Sequence, residues 1–203
     1  SGYGPGELVP PAKEWEVKLT VSGPAWVTAE QIQLYANGQL IRSEPIKSSK
    51  QGGIKWQETW KLKLPAHDCF LVAIATGPGV SAPYWQFAKP YQPDTPAFES
   101  QVAGSTGAVW IDADGDGKKT AAVEYAERLL KQHAEDLNAL FKQLEGYDQA
   151  VVMQVASLLR ARGLEPFDPK LTKALRSASK SVQLGFALYG EAWRESQIAR
   201  NTN

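Results

Sequence analysis

The residues with the most definite chemistry are Asp112-Ala113-Asp114-Gly115-Asp116-Gly117. Three carboxylates at positions 1, 3 and 5, followed by glycine at position 6, open a calcium-binding loop. A hard cation takes about six to eight oxygen ligands, and alternate residues of a tight loop turn inward to supply them. Gly117 permits the sharp bend that a side chain resists. Lys118 offers its backbone carbonyl at position 7, and Thr120 a hydroxyl or a bridged water at position 9. The end of the loop departs from an EF-hand. Val123 stands at position 12, where a bidentate Glu belongs, and Glu124 comes one residue later. Val109, Trp110 and Ile111 read as a strand rather than an entering helix, and a helix is expected from about Thr120. The reading is a stand-alone D-x-D-x-D-G loop. Asp112, Asp114, Asp116, Lys118, Thr120 and Glu124 are its candidate ligands for a structural Ca2+ ion, held at micromolar to millimolar levels. The alternative is a solvated acidic turn in which Asp and Gly serve turn chemistry alone. Against it, three carboxylates this close repel one another unless a cation lies between them.

Other chemistry is sparse. The sequence has no phosphate-cradling glycine loop, no G-x-S-x-G elbow and no H-E-x-x-H. Two histidines, His67 and His133, are too few for a His-rich metal centre. His67-Asp68-Cys69 sets a base, an acid and a thiol in three consecutive positions, but consecutive side chains of an extended segment diverge. The triplet therefore reads as a turn into a buried strand. Trp56 and Trp60, with Trp26 and Trp85 elsewhere, suggest a carbohydrate-stacking platform. Core packing is the stronger reading, because Ile54, Leu62 and Leu64 share the same face. Glu58 is the one residue on that face suited to acid–base work. No catalytic residue is assigned.

The charge balance narrows the partners. Of 203 residues, 22 are Lys or Arg and 22 are Asp or Glu, and the halves on either side of Val109 are each balanced. No positive field is available for nucleic acid. No apolar run approaches the roughly 20 residues of a membrane span, so membrane insertion is not expected.

These residues must be placed by two kinds of structure. Eleven of 13 prolines and five of seven tryptophans precede Val109, and the first part alternates like strands. Trp15 to Val21, Ile32 to Ala36, Gln39 to Ser43 and Ile54 to Leu64 show a period of two, with Asn37-Gly38 as a hairpin turn. Cys69 to Ala75 is continuously apolar, as in a central strand, and Tyr84 to Ala88 reads as a last short one. A piece near Trp26 completes about seven strands, the number of an immunoglobulin-like sandwich. The second part repeats at helical spacing, with Asp136, Asp148 and Asp168-Pro169 as N-caps and Gly146 and Gly163 as stops. About five short helices are expected. The predicted class is α+β and multidomain: an N-terminal immunoglobulin-like β-sandwich, then a small all-α helical domain, joined by the Asp-rich loop. The boundaries are a linker at 1–11, the sandwich at 12–89, a connector at 90–108, the calcium-loop junction at 109–124 and the helical domain at 120–203.

Several stretches together resemble a known family. They are Gly2-Tyr3-Gly4-Pro5-Gly6-Glu7-Leu8-Val9, Gly23-Pro24-Ala25-Trp26-Val27, Gln33 to Gly38, Ala108 to Gly117, Gly185 to Tyr189 and Trp193 to Gln197. In this order the chain resembles the C-terminal region of bacterial metallohydrolases of the CehA/McbA type, within the PHP superfamily. The resemblance implies that catalysis belongs to an N-terminal catalytic domain of the same parent chain, since no motif here matches that metal centre. The expected function is a non-catalytic accessory region, in which calcium fixes the angle between sandwich and helices. The alternative is a carbohydrate- or surface-binding module of a secreted bacterial protein. Either reading places the chain outside the cytoplasm, in the periplasm or secreted.

Overall fold

The computed structural model describes residues 2–47, 50–63, 65–78, 101–133, 135–166 and 168–201. In chain order the strands are β1 (Leu8–Val9), β2 (Trp15–Gly23), β3 (Gln31–Ala36), β4 (Gln39–Pro45), β5 (Gly53–Leu62), β6 (Cys69–Pro78), β7 (Gln101–Ser105) and β8 (Val109–Ile111). The helices are α1 (Ala122–His133), α2 (Leu137–Leu144), α3 (Gln149–Ala161), α4 (Pro169–Ser177) and α5 (Lys180–Asn201). The chain is therefore α+β, and it divides into two compact units. The expected strand Tyr84 to Ala88, with Trp85, lies outside the described residues, as does most of the expected connector.

The first unit comprises Ser1–Glu7, Ala12–Leu64 and Phe70–Trp110. Its larger sheet runs β8-β6-β3-β4, with β7 also paired to β6. β2 and β5 form a separate antiparallel pair, from Trp15 opposite Leu62 to Gly23 opposite Gly53. The alternation expected in β3 holds, since Ile32, Leu34 and Ala36 are all buried. Asn37 and Gly38 take φ of 48° and 79°, the left-handed pair that a tight hairpin needs.

Three local expectations change. Gly23-Pro24 opens a turn near Trp26 instead of a strand, closed by Val27 N–H on the Pro24 carbonyl at 3.1 Å. Residues 101–105, expected within a connector, form β7. Its side chains are mostly exposed, so it is held by backbone pairing to β6, which leaves little hydrophobic pattern to read. The register of β2 against β5 shifts between Val21 and Ser22, which makes Lys55 an extra residue in β5. Such a bulge changes the phase of alternation. Lys55 is accordingly buried, while Ile54, expected to face the core, is 58% exposed. Trp60 is buried beneath the Arg42 guanidinium, 4.3 Å from its ring centroid, with Trp56 against it edge to face. Its indole N–H donates to Glu58 at 2.9 Å. Trp60 therefore packs as core rather than presenting an open stacking face.

The second unit comprises Leu8–Pro11, Pro65–Cys69 and Ile111–Asn203. Helices α2, α3 and α4 start where the sequence predicts. Asp136 accepts from Asn138 and Ala139 N–H, Asp148 from Val151 N–H, and Asp168 from Lys170 N–H, with Pro169 in the first turn. Each cap satisfies amides that a helix start leaves unpaired. The core is built by Leu130, Leu140, Leu144, Val151, Val152, Val155, Leu171 and Val182, all nearly inaccessible. The last helix is longer than expected, at 22 residues.

α3 and α5 meet closely at Gly185. A Cβ there would lie 2.5 Å from Val152 Cγ1 and 2.8 Å from Val152 Cβ. Replacing a mid-helix glycine by alanine gains about 1 kcal/mol of helix propensity. Forcing a methyl group into a packed interface costs about 1–3 kcal/mol. At 2.5 Å the clash outweighs the gain. Gly185→Ala is predicted to lower the midpoint of thermal unfolding by several degrees, measured by circular dichroism. A raised midpoint would show that the helices part without cost.

Candidate metal centre

Asp68, Asp112, Asp114 and Asp116 come together in the second unit. Each offers one carboxylate oxygen, and these four atoms lie within 4.8 Å of one another. Asp68 and Asp112 are buried, whereas Asp114 and Asp116 face solvent. All four belong to the second unit, so the cluster is a feature of that unit by itself.

The loop is shaped by its own aspartates. Asp112 Oδ1 accepts from Gly115 N–H at 2.7 Å, and its Oδ2 accepts from Gly117 N–H at 3.0 Å. Asp114 accepts from Asp116 N–H at 3.2 Å, and Asp116 from Lys118 N–H at 2.9 Å. Gly115 and Gly117 take φ of 77° and 74°, a region that most side chains oppose. Each carboxylate oxygen has two lone pairs, so one that accepts an amide can still bind a cation.

Asp68 supplies the long-range part. Its Oδ1 accepts from Ala113 N–H at 2.8 Å, and its Oδ2 accepts from Thr120 N–H at 3.0 Å. One side chain thus grips both ends of the loop. Tyr125, on the first turns of α1, completes the arrangement. Its hydroxyl accepts from Asp68 N–H at 3.1 Å and donates to Asp114 Oδ2 at 2.6 Å. Burial, and then the bond to the Asp114 carboxylate, push the phenol well above its ordinary pKa.

The sequence-predicted ligands separate into two sets. Asp112, Asp114 and Asp116 are gathered into the cluster. Thr120 is buried, with its amide on Asp68. Glu124 turns to the start of α1, where it accepts from Ala121 N–H at 2.8 Å, as a helix-capping carboxylate does. Lys118 places its amide on Asp116 and is exposed. Sequence reading missed Asp68, which it treated only as part of a turn. The available signal was an aspartate directly before a continuous apolar strand, because a carboxylate carried into a core needs partners.

The neighbours of Asp68 have separate tasks. His67 is 3% exposed and lies among the rings of Tyr125 and Tyr147, at 5.5 and 5.1 Å. Its Nε2 comes within 3.3 Å of Asp148 Oδ2, but the angles do not make a hydrogen bond. Cys69 is fully buried, and burial followed by the charges of Asp148 and Asp68 raises its thiol pKa to about 12. It is held as the unreactive thiol.

Comparison of the chain with protein-family models, with curated proteins and with solved structures finds no match. The chemistry therefore rests on the donor set. Four carboxylates, with no nitrogen or sulfur donor grouped with them among the described residues, could hold a hard cation. Two oxygens on opposite sides of a calcium ion lie about 4.6–5.2 Å apart, from Ca–O distances of 2.3–2.6 Å. The spread of the four oxygens is compatible with one such coordination sphere.

Tyr125 carries the clearest single-atom test. Removing its hydroxyl deletes its bonds to the buried Asp68 amide and to the Asp114 carboxylate, a loss of about 1–3 kcal/mol. Tyr125→Phe is predicted to lose that much in urea unfolding with the slope unchanged. A loss below about 0.5 kcal/mol would show that the hydroxyl bridge is idle.

Proposed function

We propose that this chain is a non-catalytic accessory region of a larger metal-dependent hydrolase, in which Asp68, Asp112, Asp114 and Asp116 hold a structural calcium ion. The observation that carries the calcium reading is the convergence of four carboxylates from two distant stretches of chain. Three follow the calcium-loop spacing, and the fourth arrives from Asp68. Four carboxylates in one small volume repel, each close pair by on the order of 1 kcal/mol even in water. A divalent cation turns that repulsion into attraction and links Asp68 to the loop. In this reading the ion's work is structural. Asp112 and Asp68 accept backbone amides and set the loop, while the exposed Asp114 and Asp116 complete its charge.

The accessory role rests on the resemblance of Ala108 to Gly117 and the flanking stretches to the C-terminal region of CehA/McbA-type hydrolases. Two of the four carboxylates are exposed, which suits the weak affinities of about 10⁻⁴–10⁻³ M typical of extracellular calcium modules. An extracytoplasmic setting goes with that range.

With a dissociation constant of about 10⁻⁴–10⁻³ M, calcium at about 10 mM that binds only the folded state adds about 1.4–2.7 kcal/mol of stability. The thermal midpoint is predicted to rise by several degrees in millimolar calcium relative to chelator. Magnesium should act more weakly, because it demands shorter bonds and near-octahedral geometry. Asp116→Asn, at an exposed position, should keep the fold and reduce the calcium-dependent shift. Identical melts of the unaltered protein in calcium and in chelator would remove the calcium reading. A shift that persists undiminished in Asp116→Asn and in Asp112→Asn would place the ion elsewhere.

A further inference from the structure

A second feature of the same unit has no part in the aspartate cluster. Between α3, α4 and α5 lies a cavity of about 620 Å³. That volume falls in the range of about 300–1,000 Å³ found for small-molecule sites. Its floor includes Ala156, Leu171 and Phe186, which are buried core residues. The walls are set by packing and by side chain–backbone bonds. Gln183 donates to the carbonyls of Leu175 and Ala178, at 2.9 and 3.0 Å, which ties α5 to the end of α4. The site therefore sits on helices that hold its shape in the free protein.

The charged groups that line the cavity are of one sign among the described residues. Arg176 from the last turn of α4 and Arg194 from α5 both line the cavity and are exposed, and no Asp or Glu among the described residues lines it. Among the described residues neither guanidinium forms a salt bridge. Among the described residues Arg194 bonds through its Nε alone, to the Gly190 carbonyl at 3.3 Å, and its terminal nitrogens have no partner there. Tyr189 also lines the cavity. Its hydroxyl accepts from Arg160 Nε at 2.7 Å, which leaves the phenolic hydrogen free to donate. An apolar floor with two unneutralised guanidiniums and a hydroxyl donor at its edge matches one kind of ligand. It needs an apolar body and a single planar anionic head, which a guanidinium can grip with two parallel hydrogen bonds.

We propose that this cavity binds an apolar monocarboxylate, a medium-chain fatty acid being the simplest member of the class. The hydrocarbon lies on Ala156, Leu171 and Phe186, and the carboxylate meets Arg176 and Arg194.

Isothermal titration of the full chain with decanoate, kept below its micellar concentration, tests this. The expected result is saturable binding at one site per chain. Decanol, with the same chain and no charge, should bind at least tenfold more weakly. The double variant Arg176→Gln/Arg194→Gln alters only exposed side chains and should lose at least tenfold in affinity for decanoate while keeping its thermal midpoint. Ala187→Trp, which fills the cavity from the exposed side of α5, should abolish binding. Equal binding of decanoate and decanol, unchanged affinity in the arginine variant, or no saturable heat up to 1 mM would each overturn the proposal. Sedimentation showing a dimer that Ala187→Trp dissociates would overturn it in favour of a second copy of the chain as the occupant. The measurement needs no added calcium, so its outcome is separate from that of the metal reading.

Discussion

The carboxylate of Asp68 is the constraint on which the second unit most depends. It is 1% exposed, and a buried charge is tolerated only when its lone pairs are met. The partners come from far along the chain: Ala113 and Thr120 donate to its oxygens from 45 and 52 positions away. Its own amide is taken by Tyr125, 57 positions away. Three parts of the unit are thus fastened at one residue: the segment before β6, the Asp-rich loop and helix α1. Bringing such distant segments together costs closure entropy, which grows only slowly with the length of chain enclosed. A few charge-assisted bonds, each worth about 1.5–3 kcal/mol, are of the right size to offset it.

From that residue the rest of the cluster follows. With Ala113 and Thr120 fixed, the intervening chain must turn tightly, and the positive φ of Gly115 and Gly117 lets it do so. Asp112 folds back on the glycine amides, and Asp114 is directed to the Tyr125 hydroxyl. The carboxylates then converge on a volume fit for one hard cation. The fold brings negative charges together through their hydrogen bonds to backbone, and the electrostatic cost of doing so is what a cation would relieve. The apolar cavity between α3, α4 and α5 shares the unit but uses a different physics, a fixed hydrocarbon floor edged by positive charge.

What was legible in the sequence was local. The D-x-D-x-D-G spacing, the Asp caps of α2, α3 and α4, and the Asn37-Gly38 turn each act within a few residues, so their consequences can be read from neighbours. The periodic faces of β3 and α3 are likewise visible because one pattern governs the whole element. What escaped was non-local. Asp68 becomes a partner of the loop only through a contact 45 positions distant. The Lys55 bulge depends on how β5 meets β2, so a strict period of two places Ile54 on the wrong face. β7 exists because β6 offers it a backbone edge, while its Gly104-Ser105 ending resembles a linker. Glu124 lies near the twelfth loop position in sequence, but its carboxylate is taken by the start of α1.

Asp68 holds the loop through the amides of Ala113 and Thr120, and the proposed cation would add to that hold. Amide hydrogen exchange at Ala113, Gly115, Gly117 and Thr120, measured with calcium and with chelator, tests it most directly. The account predicts that these four amides are protected in chelator and more strongly protected in calcium. Asp68→Ala should remove the protection of Ala113 and Thr120 under both conditions. Exchange of Ala113 and Thr120 at the rates of an unstructured chain, or protection that calcium leaves unchanged, would contradict it.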